Sequence, residues 1–156
     1  MKRFSKVLLF IFCICLMISL TACGNKTALT ASEFKTKMEN KNFIVGDATY
    51  QMSQYDYIEK VYLAKNEDLT YQIEFYQISD VDNAYSFYIY NKKIFEESKQ
   101  SNSKETTLNI GNRSKYTVEN AGKYKVVSRI DNTVIYINVD EQYKSEVKTI
   151  LDELGY

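Results

Sequence analysis

The stretch from residue 106 to 139 leaves the chain little choice of fold. Four runs of β-favouring residues, 106–110, 115–119, 123–130 and 133–139, are separated at Gly111-Asn112, Asn120-Ala121-Gly122 and Asp131-Asn132. The last pair is a tight hairpin signal, because Asp and Asn tolerate positive φ. A meander of antiparallel strands follows. Upstream, residues 70–78 alternate with Tyr71, Ile73 and Phe75 on one face, and 57–64, dominated by Tyr, Ile and Val, reads as another strand. A short strand is expected at 43–45, closed by Gly46-Asp47.

Three helices are expected around these strands. Thr30 and Glu33 form a T-x-x-E capping box, with Leu29 and Phe34 as its hydrophobic staple. Phe34 and Met38 share a face of that helix, which ends at Asn40-Lys41-Asn42. Ser79 and Asp82 are expected to cap a long second helix with Val81, Ala84, Tyr88 and Phe95 in one stripe. A polar loop over 98–104 follows it. The final helix places Tyr143, Val147, Ile150, Leu151 and Leu154 at i, i+4, i+7, i+8 and i+11, with Gly155 just past its end. The order strand, turn, strand, helix occurs at 57–97 and again at 123–154, with poor residue identity between the two.

These elements imply an α+β fold: a mostly antiparallel sheet of about six or seven strands with three helices packed on one face, the other face partly open.

The start of the chain has a different character. Lys2, Arg3 and Lys6 precede an apolar run, VLLFIFCICLMISL, over residues 7–20, and Leu20-Thr21-Ala22-Cys23 closes it. Fourteen residues is short for a membrane span and suits the core of a signal peptide. Small residues followed at once by Cys resemble the lipobox of bacterial lipoproteins. The resemblance implies removal of residues 1–22, acylation of Cys23 on sulfur, and a lipid anchor on the extracytoplasmic face of the cell membrane. Two acyl chains suffice for stable anchoring where one does not. Residues 23–29 then act as lipidated Cys and short tether, reaching at most about 20 Å, and 30–156 form a single domain. That domain is similar in a general way to small lipoproteins of Gram-positive bacteria, a likeness that carries over no functional residue.

Charge and composition narrow the function. The chain has 20 Lys+Arg and 20 Asp+Glu, and three of the cations lie in the leader. From Cys23 onward the balance is therefore 17 against 20, which argues against nucleic acid as a partner. There is no His, and Cys13 and Cys15 fall in the leader. A Ser-His-Asp triad, a His metal ligand and a thiol nucleophile are all excluded. No nucleotide-binding or nucleophile-elbow motif is present. Glu59, Glu74 and Asp131 give no spacing signal for a carboxylate pair. Catalysis and a cofactor are not expected. Ser79-Asp80-Val81-Asp82-Asn83 begins like a calcium loop but lacks the Gly and the closing Glu that such a loop needs, so helix capping is the better reading.

Two charged residues inside strands, Glu74 and Arg129, are the candidate ligand-binding pair. They are read first as a cross-strand pair on a wet face; the sharper reading has the Arg129 fork hold an anionic group. Tyrosine is the other signal, with 14 in the chain. Tyr50, Tyr55, Tyr57 and Tyr62 cluster around the second strand, and Tyr85, Tyr88 and Tyr90 share the second helix. A Tyr ring offers a flat apolar face and a hydroxyl, as glycan or peptide binding requires, though Tyr also fills many half-buried strand positions. The leading expectation is a binding or interaction module for an envelope protein or small ligand. An accessory structural subunit of an envelope or transporter complex is second, and a hydrolase of unfamiliar type third.

Overall fold

The computed structural model describes residues 24–156; the leader and Cys23 lie outside the described residues. Helix α1, Ala31–Glu39, begins at the expected capping box: Glu33 N donates to Thr30 Oγ1 at 3.2 Å, and Thr30 N donates to Glu33 Oε2 at 2.8 Å. Strands β1 (Ile44–Asp47), β2 (Ile58–Lys65) and β3 (Gln72–Ile78) form an antiparallel meander, with a 3-10 turn at Thr49–Met52 between the first two. Helix α2, Val81–Glu97, is capped one residue away from the expected place, by Asp80, whose Oδ1 accepts Asn83 N at 2.8 Å. Strands β4 (Lys104–Ile110), β5 (Arg113–Asn120), β6 (Lys123–Ile130) and β7 (Thr133–Asp140) are the second meander. Helix α3, Lys144–Leu154, ends at Gly155, which takes φ 88°.

The two meanders join through β3 and β7 into one seven-stranded sheet of order β1-β2-β3-β7-β6-β5-β4, antiparallel throughout. Strand type, strand number and the three helices are as the sequence implies. The placement of the helices is not: α1 and α3 pack on one face, and α2 packs on the other. Phe34 and Met38 from α1 and Val147, Leu151 and Leu154 from α3 share a core with Ile73, Phe75, Ile135 and Ile137. Ala84, Tyr88 and Phe95 from α2 share the opposite core with Tyr76, Tyr116, Val127 and Val134.

Topology is the reason. The chain leaves β3 in the middle of the sheet and must reach β4 at the far edge, four strand spacings of about 4.8 Å away. A helix of 17 residues, about 25 Å long, makes that crossing over β7, β6 and β5. Once it lies there, neighbours of opposite parity such as Phe75 and Tyr76, or Val126 and Val127, are both buried. Strands covered on both sides read as continuous apolar runs, and TVIYINV is such a run. Val81 does not join the buried stripe of α2 and stays 48% exposed. The strand–strand–helix echo is one of order alone: a twofold relating β3 to β7 would keep both helices on the same face, and they lie on opposite ones.

A candidate binding groove beside α2

After β1 the chain folds over the α2 face, and Asp47 fixes the turn. Its carboxylate accepts Thr49 N at 2.9 Å, Thr49 Oγ1 at 2.6 Å and Lys60 Nζ at 3.0 Å. The Thr49 bonds first, then Lys60, hold its pKa down to about 2. Thr49 Oγ1 in turn accepts Val61 N at 3.1 Å, which ties the 3-10 turn to β2. The segment that follows carries Met52, Tyr55 and Tyr57 alongside α2.

Between this segment and α2 runs a groove of about 550 Å³. Tyr76 of β3 forms its floor, and Phe87 and Tyr90 with Asn83, Ser86 and Asn91 form the helix wall. Aromatic rings brace it: Tyr55 and Tyr57 lie 5.7 Å apart and Tyr76 and Phe87 4.8 Å apart, centroid to centroid. No charged side chain lines it. The polar groups are hydroxyls and amides, with Asn83 Nδ2 donating to Asp80 Oδ2 at 2.7 Å and Asn91 Nδ2 to the Phe87 carbonyl at 2.8 Å. A mostly apolar cleft with a few fixed polar groups is what small-ligand and peptide sites have in common.

Of the tyrosines singled out from sequence, Tyr55, Tyr57 and Tyr90 meet here. Tyr88 goes to the core and Tyr62 to the other face of the sheet, while Tyr50 stands 75% exposed outside the groove. Sequence reasoning missed Tyr76, Phe87 and Met52. Phe87 and Tyr90 had a visible signal: both are large aromatics lying off the buried stripe of α2.

Glu74 and Arg129 do not form the expected cross-strand pair. Both face α2, but β7 stands between them, and the register aligns Glu74 with Tyr136 and Val127 whereas Arg129 aligns with Val134 and Tyr76. Glu74 serves the groove floor instead: Oε2 accepts the Tyr76 hydroxyl at 2.5 Å and Oε1 accepts Gln72 Nε2 at 2.8 Å. Burial, then the Glu74 charge, pushes the Tyr76 hydroxyl far above its ordinary pKa.

Arg129 is only 6% exposed. Its Nη1 donates to the Asp131 carbonyl at 2.9 Å and its Nη2 reaches Ser114 Oγ at 3.5 Å. Tyr85 covers the guanidinium at 5.4 Å from the ring centroid. Nε and the nearby Tyr88 hydroxyl have no hydrogen-bond partner among the described residues. Among the described residues no carboxylate pairs with it, and with both bonds going to the hairpin and its neighbouring strand its position is that of a hairpin brace. Arg129→Met, which removes a buried charge, should therefore cost less stability than Arg129→Lys, which leaves a compact ammonium without the fork and the stack. The lysine variant should lose about 1–3 kcal/mol. Urea unfolding of both variants checks this, and the reverse order would mean that the charge is compensated.

Asp80 and Asp82 sit at the start of α2, and among the described residues no group of three or more His, Cys, Asp or Glu is placed to hold a metal ion. Nor is any helix there long and apolar enough to cross a membrane. Comparison with family models, with characterised proteins and with solved structures finds no match for this chain.

Proposed function

We propose that this chain is a lipid-anchored extracytoplasmic binding module that holds its ligand in the groove between α2 and the segment around Tyr55. The observation that carries the reading is the lining: aromatic rings, hydroxyls and amides without a charge, open to solvent, in a chain of which 26% of residues are charged. Such a surface suits a neutral ligand with flat apolar faces and hydrogen-bonding edges, a glycan or an extended peptide segment. Anchoring at Cys23 supports the same reading, because it holds the groove at the outer surface of the membrane.

A second reading, an accessory subunit docked on another envelope protein, is favoured by the outer side of α2. Val81, Tyr85 and Ile89 follow one another at i, i+4 and i+8 and are 48%, 47% and 40% exposed. Apolar surface of this kind marks protein contacts when it is contiguous.

A photo-crosslinking residue placed at Tyr90, Tyr85 or Lys93 in the membrane-bound protein separates the two. Crosslinks from Tyr90 alone support the groove, and crosslinks from Tyr85 and Tyr90 to one protein support the subunit. Adducts from Lys93, which is solvated on the same helix, report only proximity. Tyr90→Ala should leave the unfolding midpoint nearly unchanged, since the ring is 65% exposed, so replacing it does not disturb the fold being tested. The anchor has its own test. Cys23→Ser should abolish incorporation of labelled fatty acid and release the domain from the membrane fraction; unchanged labelling would refute it.

A further inference from the structure

The first described residues are fastened to the turn between β4 and β5. Lys26 N donates to Asn112 Oδ1 at 2.9 Å, and Asn112 Nδ2 donates back to the Lys26 carbonyl at 2.7 Å. Gly111 turns there at φ 57°, and a Cβ on it would stand 2.7 Å from the Gly24 carbonyl oxygen. Only glycine satisfies both the turn and the close approach. Ala28 and Leu29 then pack against the core shared by α1 and α3. Residues 24–29 thus lie along the domain instead of forming the free tether that their length allows. Gly24, which follows Cys23 in the sequence, thus stands beside this turn.

Three cations lie at the same turn: Lys26, Arg113 and Lys115 line one shallow cavity with Asp152. Lys115 also borders the next cavity along the sheet, which Lys148 lines together with Asp152 and the ion-paired Lys144 and Glu119. Elsewhere eight lysines form ion pairs; among the described residues Lys26, Arg113, Lys115 and Lys148 form none, and Lys26 Nζ and Lys115 Nζ donate instead to the main-chain oxygens of Gly155 and Tyr156 at 2.7 and 3.1 Å. The carboxylates at this end are Asp152 and Asp131, and Asp131 accepts Asn112 Nδ2 at 2.8 Å. Burial lowers the Lys115 pKa; Asp152 opposes this, and the Lys26, Lys148 and Arg113 charges add to it. Like charges are therefore crowded at one end of a domain whose overall balance is negative. Ile110, 43% exposed, stands beside them at the tip of β4.

We infer that this end of the sheet is a membrane-facing surface, on which Lys26, Arg113, Lys115 and Lys148 rest against the anionic headgroups of the leaflet that holds the anchor. The inference rests on the anchor at Cys23. It adds an orientation: the β4–β5 turn faces the bilayer, and the loop at 98–103, one strand length of about 20 Å away, faces outward. Each cation brought to an anionic surface favours the docked state by about fivefold.

The cysteine content makes this testable in the lipidated protein, because Cys23 is the only Cys from residue 23 onward and acylation occupies it. Asn109→Cys and Asn102→Cys, both exposed and at opposite ends of β4, each take one fluorophore. The protein is reconstituted into vesicles of phosphatidylcholine, with or without phosphatidylglycerol, that carry a headgroup-attached quencher. Quenching should be stronger at position 109 than at 102, and the contrast should grow with phosphatidylglycerol. Lys26→Gln with Lys148→Gln should shrink the contrast, while Lys35→Gln with Lys93→Gln should not. Equal quenching at both positions, or a contrast indifferent to lipid charge and to both double variants, overturns the surface. The mass of the same sample distinguishes the failures: without acyl groups on Cys23 the anchor falls and the surface with it, whereas acylation with equal quenching defeats the surface alone.

Discussion

Raised from neutral pH, this domain should keep its structure to about pH 10 and then unfold in one step before about pH 12. Six tyrosines, Tyr71, Tyr76, Tyr88, Tyr116, Tyr124 and Tyr156, are buried, and desolvation pushes each hydroxyl up from its ordinary pKa of 10.0. For Tyr88, Tyr124 and Tyr156 the value reaches about 12. A phenol with a raised folded pKa is stabilising while protonated. That contribution is complete below the unfolded value near 10 and is lost as pH climbs toward the folded value. At pH 11 each buried neutral ring favours unfolding by up to about 1.4 kcal/mol, and six together reach about 8 kcal/mol. The whole stability of a domain this size is about 5–15 kcal/mol. Deprotonating the surface lysines removes ion pairs that contribute little. With no His in the chain, little else titrates between the carboxylates and this step. Exposed rings such as Tyr50 and Tyr90 ionise without unfolding, so the last part of the tyrosinate absorbance, that of the six buried rings, should appear together with the loss of far-UV circular dichroism. Full ionisation with an intact dichroism spectrum would refute the assignment of these rings to the interior.

Leu151→Ala should lower stability by about 2–5 kcal/mol. The side chain is fully buried on α3, in the core that α3 shares with α1 and the sheet. Truncation there removes apolar contacts and leaves a cavity that the flanking Val147, Ile150 and Leu154 cannot fill without leaving their own contacts. Thr149→Ala, exposed on the same helix, is the matched control and should stay within about 0.5 kcal/mol. Urea midpoints at constant m-value give the comparison. A Leu151→Ala midpoint equal to that of the control would mean that α3 is not docked.

How much of the candidate site was legible beforehand follows from the range of the interactions involved. Tyr55, Tyr57 and Tyr90 could be noticed as members of aromatic clusters, but nothing local says that residues 35 positions apart share a groove. Tyr76 reads as an ordinary strand residue, and it becomes a floor only because α2 crosses above it. Glu74 and Arg129 attracted attention as charges inside strands. Their separation depends on strand order, since β7 enters between β3 and β6 from the far end of the chain. The fastening of Lys26 to Asn112 spans 86 positions and could not be read from either residue alone.

Local chemistry by itself determined the elements and their ends. The capping box at Thr30 and Glu33, the positive φ of Asp131 and Gly155, and the apolar stripe of α3 each act within a few residues, so the sequence specifies them directly. Tight turns likewise made β4 to β7 antiparallel neighbours. Only the tertiary structure decided the pairing of β3 with β7, because that contact joins two meanders with no short connection between them. From that pairing follow the crossing of α2 over the second face, the groove beside it, and the gathering of Lys26, Arg113, Lys115 and Lys148 at one end. These features are set by the free energy of burying both faces of the central strands at once, a quantity that no single segment of the chain contains.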